Sequence, residues 1–209
     1  PHIHRQVPLD FQGRRLTFAT ALDLFSSHKV DVGTRMLLRS VEPVLAGHAE
    51  AARVLDLGCG YGALGVALAT LPIVASALLL DRDALALDFA RFNAKQNGVL
   101  DRVTATASLG VDAVAQGNRY NLVVANVPGK AGEVVITSML LGALGVLRPG
   151  GLVAIVVIEP IRTLVADMLA RSDIEVTLRR DSADYSIFHY RPAADATFPP
   201  PDDSFAAGV

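Results

Sequence analysis

One glycine-rich segment, Arg53 to Gly65 (RVLDLGCGYGALG), constrains the fold of this chain more than any other stretch. An apolar run breaks into glycines at Gly58, Gly60 and Gly62, and helical spacing of small apolar residues resumes at Ala63. This order predicts a strand, a tight turn and the start of a helix. Glycines are needed there because the backbone bends sharply and approaches a ligand that a Cβ would block. The N–H groups at the start of the helix point into the same space, where a carboxylate or phosphate could be received.

Two classes of nucleoside-containing cofactor compete for this turn, and the first is a dinucleotide. Gly58, Gly60 and Ala63 satisfy the loose G-x-G-x-x-G/A pattern, and an acidic residue, Asp81, follows at about the expected distance. Taken alone, this pattern is weak evidence for a dinucleotide site.

The second class is S-adenosylmethionine (SAM). Its usual first motif places an acidic residue two positions before G-x-G-x-G, as Asp56 stands before Gly58, Gly60 and Gly62. The turn therefore favours SAM over a dinucleotide. Cys59, the single cysteine of the chain, lies inside the turn, where a small residue that fills a tight loop is favoured over a reactive thiol.

Length and composition indicate one α/β domain. The chain has 209 residues, 51% of them hydrophobic, which suffices for one packed core and falls short of two. Short apolar runs alternate with helical stretches, which predicts a doubly wound sheet with helices on both faces. No apolar stretch reaches membrane-spanning length, the chain starts without a secretory signal, and the lone cysteine fits a reducing compartment. We therefore expect a cytoplasmic protein with no membrane partner.

The charge balance argues against a general nucleic-acid binder. The formal net charge is −2 and the isoelectric point is about 6.2, so the chain as a whole exerts no electrostatic attraction on phosphates. The net charge does not exclude a local basic patch, because arginines gather near both ends of the chain. These arginines either converge on one rim of the sheet or lie on solvated faces. These arginines are Arg5, Arg14, Arg15, Arg35, Arg39, Arg179, Arg180 and Arg191.

Three parts follow one another along the chain. Residues 1–20 alternate in polarity about Gln12-Gly13, which predicts a small β-hairpin outside the main sheet. Residues 21–191 make up the cofactor-binding domain, and Ile174 to Arg180 and Tyr185 to Arg191 are expected to pair as strands. Residues 192–209 are expected to form a flexible tail.

Helical spacing and stop signals set the expected helix boundaries. They predict a helix from Thr34 to Leu45, a weak helical turn from Ala113 to Gly117, and a helix from Val134 to Leu147 that ends at Pro149. Asp83 is expected to cap the helix that follows it.

Polar residues end the second and third strands of the predicted sheet. Asp81 ends the second strand, where a short carboxylate can accept hydrogen bonds from both ribose hydroxyls, and Arg82 beside it is expected to touch the cofactor as well. Ser108 ends the third strand and either meets the adenine edge or serves as an ordinary turn serine.

The fourth strand delivers Asn126-Val127-Pro128 to the same edge of the sheet. The side-chain oxygen of Asn126 and the carbonyl of Val127 can both accept hydrogens from a planar amino group, and proline fixes the turn that aims them. A conjugated amine held in this way presents its nitrogen lone pair to a methyl donor. The tripeptide therefore indicates methyl transfer to nitrogen, driven by alignment and by stabilisation of the positive charge that grows on that atom.

These motifs together resemble the methyltransferase small-domain family, and most closely the catalytic half of the bacterial small-subunit ribosomal RNA guanine-N2 methyltransferases. The resemblance spans roughly Phe25 to Arg191 and rests on F-S…D-V-G-T, V-L-D-L-G-C-G-Y-G, Asp81, N-x-P, and L-R-P-G-G at residues 147–151. It implies a Rossmann-like class I methyltransferase sheet of about seven strands with an antiparallel C-terminal pair. It also implies SAM as the cofactor and ribosomal RNA as the partner.

The resemblance also implies roles for the loop before the first helix. In the family this segment covers the cofactor pocket, which places Phe25 over the pocket and Thr34 near the methyl donor. A plain helix cap is the alternative for Thr34. His28 is the one histidine expected near the substrate, and no His/Cys cluster suggests a metal.

The sequence departs from the family at the tip. The usual motif is N-P-P followed by an aromatic residue, whereas Val127, Pro128, Gly129 and Lys130 follow Asn126 here. A nucleobase would lose the stacking face that the aromatic ring provides, a contact of roughly 1–3 kcal/mol per base. Lys130 either contacts an anionic substrate group in compensation or is a solvated loop lysine.

The sequence therefore leaves several functions open. The acceptor is either guanine in ribosomal RNA or a smaller amine-bearing metabolite or protein side chain. From other classes, an NAD-linked oxidoreductase would keep the glycine turn but leave Asn126 and Pro128 unexplained. A catalytically inactive module that only binds RNA or a partner is the third alternative.

Overall fold

The computed structural model describes residues 3–22, 24 and 28–199. Its strands are β1 Arg5–Phe11, β2 Arg14–Thr20, β3 Ala52–Leu57, β4 Val74–Asp81, β5 Val103–Ala107, β6 Tyr120–Asn126, β7 Leu147–Ile158, β8 Ile174–Asp181 and β9 Tyr185–Pro192. Its helices are α1 Val32–Ala46, α2 Ala63–Ala69, α3 Ala84–Gln96, α4 Glu133–Gly145 and α5 Arg162–Leu169, and a 3₁₀ turn, Glu159–Ile161, precedes α5.

Seven strands form one sheet in the order β5-β4-β3-β6-β7-β9-β8. The pairs from β5 to β7 are parallel, and β9 runs antiparallel to both β7 and β8. The predicted seven-stranded, doubly wound fold with an antiparallel C-terminal pair is confirmed.

Hydrophobic side chains leave the two faces of the sheet alternately. Along β3, Val54 belongs to the core packed under α1, α2 and α3, while its neighbour Leu55 belongs to the core packed under α4 and α5. Both residues have no measurable exposure. Central strands buried on both faces are what parallel sheets with helical crossovers require.

The predicted N-terminal hairpin is confirmed, and it forms its own two-stranded sheet. Gln12 and Gly13 make the turn with φ of 49° and 70°, the left-handed pair that matches the twist of a two-residue hairpin. The hairpin docks on α3 through Asn93, whose Oδ1 accepts from the Ala19 N–H at 2.7 Å. The Nδ2 of Asn93 donates to the carbonyls of Ala19 and Tyr61 at 3.0 and 2.9 Å, so the hairpin and the glycine turn share one buried asparagine.

One predicted helix boundary is wrong, and one predicted weak helical turn is not part of a helix. The helix after the N-x-P tip ends at Gly145, and Pro149 lies inside β7, which already pairs with β6 through Tyr120 and Leu147. The register shifts along this pair, and proline is tolerated at such an irregularity because its missing N–H breaks no regular ladder. Residues 113–117 form turns instead of a helical segment.

Two further observations concern the rest of the chain. The described residues after β9 form no helix or strand, although Phe198 packs against the core under α4 and α5. None of the helices in the described ranges is long and apolar enough to cross a membrane.

Candidate active site

Three functional segments meet along one edge of the sheet. Strands β4, β3 and β6 are parallel neighbours, so Asp81, the glycine turn after β3, and Asn126 all lie at carboxyl ends on the same side. In open α/β sheets, ligands bind at this edge, where the strand order changes direction.

The glycine turn adopts backbone conformations that side chains disfavour. Gly58, Gly60 and Gly62 have φ of 67°, 54° and 87°. A Cβ at Gly62 would press on Ala90 of α3 at 3.2 Å, which gives that glycine a packing role. A Cβ at Gly60 would meet no atom of the described residues within 4 Å, so open space lies beside the middle of the turn. A ligand that approaches the backbone needs such a space.

Asp56 stabilises the start of α2, directly after this turn. Its side chain is buried, and its Oδ2 accepts from the Gly65 N–H at 2.8 Å, which takes up one of the helix-start N–H groups. Its Oδ1 has no hydrogen-bond partner among the described residues. Burial raises the pKa of Asp56 to about 7, the Gly65 hydrogen bond partly opposes that rise, and the charge of Asp81 adds to it.

Asp81 is held between the turn and α3. Its Oδ2 accepts from the Gly60 N–H at 2.8 Å and its Oδ1 accepts from the Asp83 N–H at 3.0 Å. Asp83 itself caps α3 by accepting from the Leu85 N–H at 2.9 Å, as predicted. Arg82 between them is exposed. The carboxylate is thus fixed at the rim of the space beside Gly60, which is where a ribose would need it.

The hydroxyl of Ser108 is engaged within its own loop. It donates to the Gly110 carbonyl at 3.1 Å and accepts from the Ala113 N–H at 3.1 Å. This geometry supports the turn-serine interpretation. The Ser108 N–H also donates to the Asp81 carbonyl at 3.0 Å, which keeps this loop beside the same edge.

The amide of Asn126 has a defined orientation. Its Nδ2 donates to Asp31 Oδ2 at 2.9 Å and to Thr34 Oγ1 at 3.1 Å, so both amide hydrogens are used. No described group donates to its Oδ1. Thr34 is buried, and it is not the helix cap: Asp31 caps α1 by accepting from the Thr34 N–H at 3.1 Å. The capping interpretation of Thr34 is therefore wrong, because its hydroxyl serves Asn126 instead.

The rest of the tip is held by its backbone. The Val127 N–H donates to the Val156 carbonyl at 2.9 Å, and the Pro128 carbonyl accepts from the Ala131 N–H at 3.0 Å. No described N–H donates to the Val127 carbonyl. Among the described residues, neither Asn126 Oδ1 nor this neighbouring carbonyl accepts a hydrogen bond.

The side chain of Ile158 occupies the space beside Gly129. A Cβ there would clash with Ile158 Cδ1 and would lie 2.9 Å from Ile158 Cγ1. The end of β7 therefore fills the space into which a side chain at position 129 would project. Lys130, the next residue, is exposed on the loop.

The structure describes one of the two predicted residues of the preceding loop. Phe25 lies outside the described residues. His28 is exposed, and its ring stands edge-on to that of His4 with centroids 6.1 Å apart, which places it against the start of the hairpin. Within the described part of the chain, no group of three or more His, Cys, Asp or Glu side chains is arranged to hold a metal.

Sequence reasoning missed two residues of the site. Asp31 stood inside the quoted D-V-G-T segment, yet nothing in the sequence linked it to Asn126. Tyr185, on β9, donates its hydroxyl to Asp31 Oδ1 at 2.9 Å. Its ring lies so close to the backbone of Gly33 that a Cβ there would come within 2.9 Å of it, and the D-x-G spacing is the signal that could have pointed to such a contact.

Comparison with known proteins identifies the family. Residues 15–189 match the sequence profile of the methyltransferase small domain. The chain belongs to the methyltransferase small domain family. The predicted family is confirmed, and the N-x-P tip and the glycine turn lie inside the matched range.

Relatives within this family share part of their length with this chain. Ribosomal RNA small subunit methyltransferase C of Hahella chejuensis is 35% identical over 146 residues, which cover 68% of this chain and 40% of that protein. The uncharacterized protein YbxB of Bacillus subtilis is 29% identical over 126 residues, 60% of each chain. The chain thus spans between 40% and 60% of the length of these two relatives.

Solved structures agree on the fold. The T. thermophilus 16S rRNA N2 G1207 methyltransferase RsmC, solved with AdoMet and guanosine, superposes with a TM-score of 0.75 at 24% identity, over 92% of this chain and 52% of that one. The ribosomal protein L11 methylase of Lactobacillus delbrueckii superposes with a TM-score of 0.66 at 17% identity, over 83% and 89%.

Proposed function

We propose that this chain is a SAM-dependent N-methyltransferase that acts on the exocyclic amine of a guanine in ribosomal RNA. The observation that carries this proposal is the amide of Asn126, held by both of its hydrogens so that its oxygen is left for an amino group. This amide ends the strand next to the one that leads into the glycine turn.

The residues around the turn fit SAM. The open space beside Gly60 admits a ligand against the backbone, and the Asp81 carboxylate at its rim suits two ribose hydroxyls. Beneath the turn, Asp56 Oδ1 is buried and has no hydrogen-bond partner among the described residues. When bound, the cofactor supplies a methyl group on a positively charged sulfur. Gly58, Cys59 and Gly62 would form the floor of its site, and Thr34, Arg82 and Ser108 would lie around it.

The chain's own contribution to the reaction is positioning. Asn126 Oδ1 and the Val127 carbonyl accept the two N–H groups of the planar amine, which points the nitrogen lone pair out of the plane toward the methyl group. The methyl group would come from the bound cofactor, and the two acceptors would stabilise the positive charge that grows on the accepting nitrogen. The methylated arylammonium cation is strongly acidic, so its extra proton would pass to solvent. No general base is required.

Ribosomal RNA is favoured over the other acceptors by the relatives. The Hahella chejuensis relative is a ribosomal RNA small subunit methyltransferase, and the T. thermophilus structure holds guanosine. A guanine inside a duplex or stack would have to be extruded to reach the edge of the sheet. Two of the three C-terminal arginines form exposed ion pairs, Arg179 with Asp181 at 3.1 Å and Arg191 with Glu175 at 2.8 Å. Lys130 and His28 are the exposed candidates for substrate contact.

Calorimetry separates the classes of function. Micromolar binding of S-adenosylhomocysteine without binding of NADH supports the proposal, whereas the reverse supports an NAD-linked oxidoreductase. Binding of neither supports an inactive module.

RNA mass mapping identifies the acceptor. In a strain that lacks the gene, ribosomal RNA that misses one methyl group at one guanine, restored by the purified protein, supports the RNA substrate. Unchanged ribosomal RNA would redirect the search to a small amine-bearing metabolite or a protein side chain.

A further inference from the structure

We infer that Asp31 and Tyr185 are positioning residues that fix the amide of Asn126 in its acceptor orientation. The inference rests on the proposed N-methyl transfer and adds to it a carboxylate and a phenol from two distant segments. Neither residue needs to touch the substrate, because both act through Asn126.

The hydrogen bonds around Asp31 discriminate between the two orientations of the amide. Asp31 Oδ2 accepts from Asn126 Nδ2, and an ionised carboxylate has no hydrogen to give. If the amide flipped, Asn126 Oδ1 would face Asp31 Oδ2, and two acceptors would oppose each other. The observed orientation, with Oδ1 directed away from Asp31, is the one that methyl transfer to an amine requires. Thr34 Oγ1 alone could not enforce it, since a hydroxyl can either donate or accept.

Tyr185 in turn fixes the carboxylate. Its hydroxyl donates to Asp31 Oδ1 at 2.9 Å, while Oδ2 serves Asn126 and the Thr34 N–H. Oδ1 of Asp31 therefore contacts β9, whereas Oδ2 contacts β6 and α1. Strand β9 pairs antiparallel with β7, and Tyr185 lies opposite Ile158. The hydroxyl of Tyr185 therefore connects the C-terminal strand pair to the candidate site.

The carboxylate also has an electrostatic effect. It lies one amide away from the nitrogen on which positive charge grows, and a nearby negative charge stabilises such a state. An asparagine at position 31 keeps an acceptor for Asn126 but removes this charge. A serine keeps the helix cap but is too short to hold the amide.

The test compares Asp31→Ser, Asp31→Asn, Tyr185→Phe and the double variant Asp31→Ser/Tyr185→Phe in the full chain. The substrate is ribosomal RNA from a strain lacking the gene, the readout is the single-turnover rate constant for methyl transfer, and the Kd of S-adenosylhomocysteine is measured by calorimetry. Asp173→Ser is the matched control, because it makes the same aspartate-to-serine change at an exposed ion pair with Arg171.

The positioning role predicts a specific pattern. Asp31→Ser lowers the rate constant about 10- to 100-fold, as for loss of a charge-assisted hydrogen bond, and leaves the Kd of S-adenosylhomocysteine within about threefold. Asp31→Asn recovers only part of the loss, because it keeps an acceptor for Asn126, with the Tyr185 hydroxyl rotated to accept, but lacks the negative charge. Tyr185→Phe has a smaller effect, and the double variant is no slower than Asp31→Ser, since the tyrosine acts only through Asp31. Asp173→Ser keeps the wild-type rate constant.

Three outcomes overturn the inference. In the first, Asp31→Ser keeps the wild-type rate constant. In the second, Asp31→Ser and Asp31→Asn lose the same factor in rate constant and also lose cofactor binding. In the third, the effects of Asp31→Ser and Tyr185→Phe on the rate constant are fully additive. Inactivity of the wild-type protein on this RNA is a different result, because it contradicts the proposed function. In that case, NMR still tests the geometry: the Asn126 side-chain amide protons exchange faster with water in Asp31→Ser than in Asp31→Asn.

Discussion

The backbone N–H of Gly60 donates a 2.8 Å hydrogen bond to Oδ2 of Asp81, which ties the middle of the glycine turn to the end of β4. The N–H groups of Gly58 and Cys59 reinforce this link by donating to the Leu80 carbonyl at 2.8 and 3.0 Å. The floor and the rim of the proposed cofactor site therefore form one rigid unit. A ligand therefore meets a prepared surface at this turn.

Gly60→Ala should separate cofactor binding from stability. The new methyl group would enter the open space that we assign to SAM, so we expect the affinity for S-adenosylhomocysteine to fall more than about tenfold, a loss above roughly 1.4 kcal/mol. The left-handed backbone at φ 54° should cost about 1 kcal/mol of stability. Calorimetry and urea denaturation measure the two effects.

Gly98→Ala is the control for that experiment. Gly98 has φ of 73° after α3, and a Cβ there would also meet no described atom within 4 Å. It should lose a similar amount of stability and keep its affinity. Equal affinities for both variants would show that the space beside Gly60 is not the cofactor site.

Asp56 should make the protein less stable as the pH rises toward neutrality. Its carboxyl group has a pKa of about 7 in the folded state against 3.8 without the fold, so between these values the folded state holds a proton that the unfolded state has lost. The free energy of unfolding therefore falls as the pH rises through this window, by up to about 4 kcal/mol from this group, and levels off above pH 7. Urea denaturation of wild type and Asp56→Asn at several pH values checks it: the difference between the two profiles should change across the window. Parallel profiles would mean that Asp56 ionises normally.

His189, unlike Asp56, should make the protein less stable as the pH falls. It is buried against Ser40, with Nε2 2.9 Å from the serine Oγ, and burial followed by the charge of Arg180 lowers its pKa from 6.5 to about 4. Between these pH values the unfolded state binds a proton that the folded state does not bind. The free energy of unfolding therefore falls as the pH falls from 6.5 to about 4. His189→Gln should remove up to roughly 3 kcal/mol of this acid sensitivity. The same denaturation series decides it, and a variant as acid-sensitive as wild type would contradict the assignment.

Gly129 and Ile158 should be coupled energetically. Gly129→Phe forces a ring into space held by Ile158, so we expect a loss of about 1–3 kcal/mol from overpacking. Ile158→Ala should cost stability alone yet relieve the clash in the double variant, leaving a coupling energy of at least about 1 kcal/mol in a double-mutant cycle. Additive losses would show that the two side chains do not compete for one space.

The local part of the site could be predicted from the sequence. The strand, turn and helix around Gly58 to Gly62 follow from residue pattern alone, and the rule that ligands bind at the carboxyl ends of parallel strands brings Asp81 and Asn126 to one edge. The cap at Asp83 is likewise a local signal. All of these depend on short stretches and on general topology.

The long-range contacts could not be predicted. Asp31 lies 95 residues from Asn126 and 154 from Tyr185, and their meeting depends on how the antiparallel strands pack against α1. The end of α4 was misplaced for a related reason: pairing between Tyr120 and Leu147 begins β7 before the Pro149 signal is reached. Tertiary pairing there prevails over a local stop signal.

Asn126→Ala tests the central claim most directly. The claim is that the Asn126 amide orients the accepting nitrogen without holding the cofactor. The measurement is methyl transfer from SAM to ribosomal RNA lacking this modification, together with calorimetry of S-adenosylhomocysteine. We expect turnover to fall by at least about 100-fold, as for loss of one donor or acceptor aimed at a charge-developing centre, while the Kd stays within about threefold. Wild-type turnover in Asn126→Ala would contradict the account.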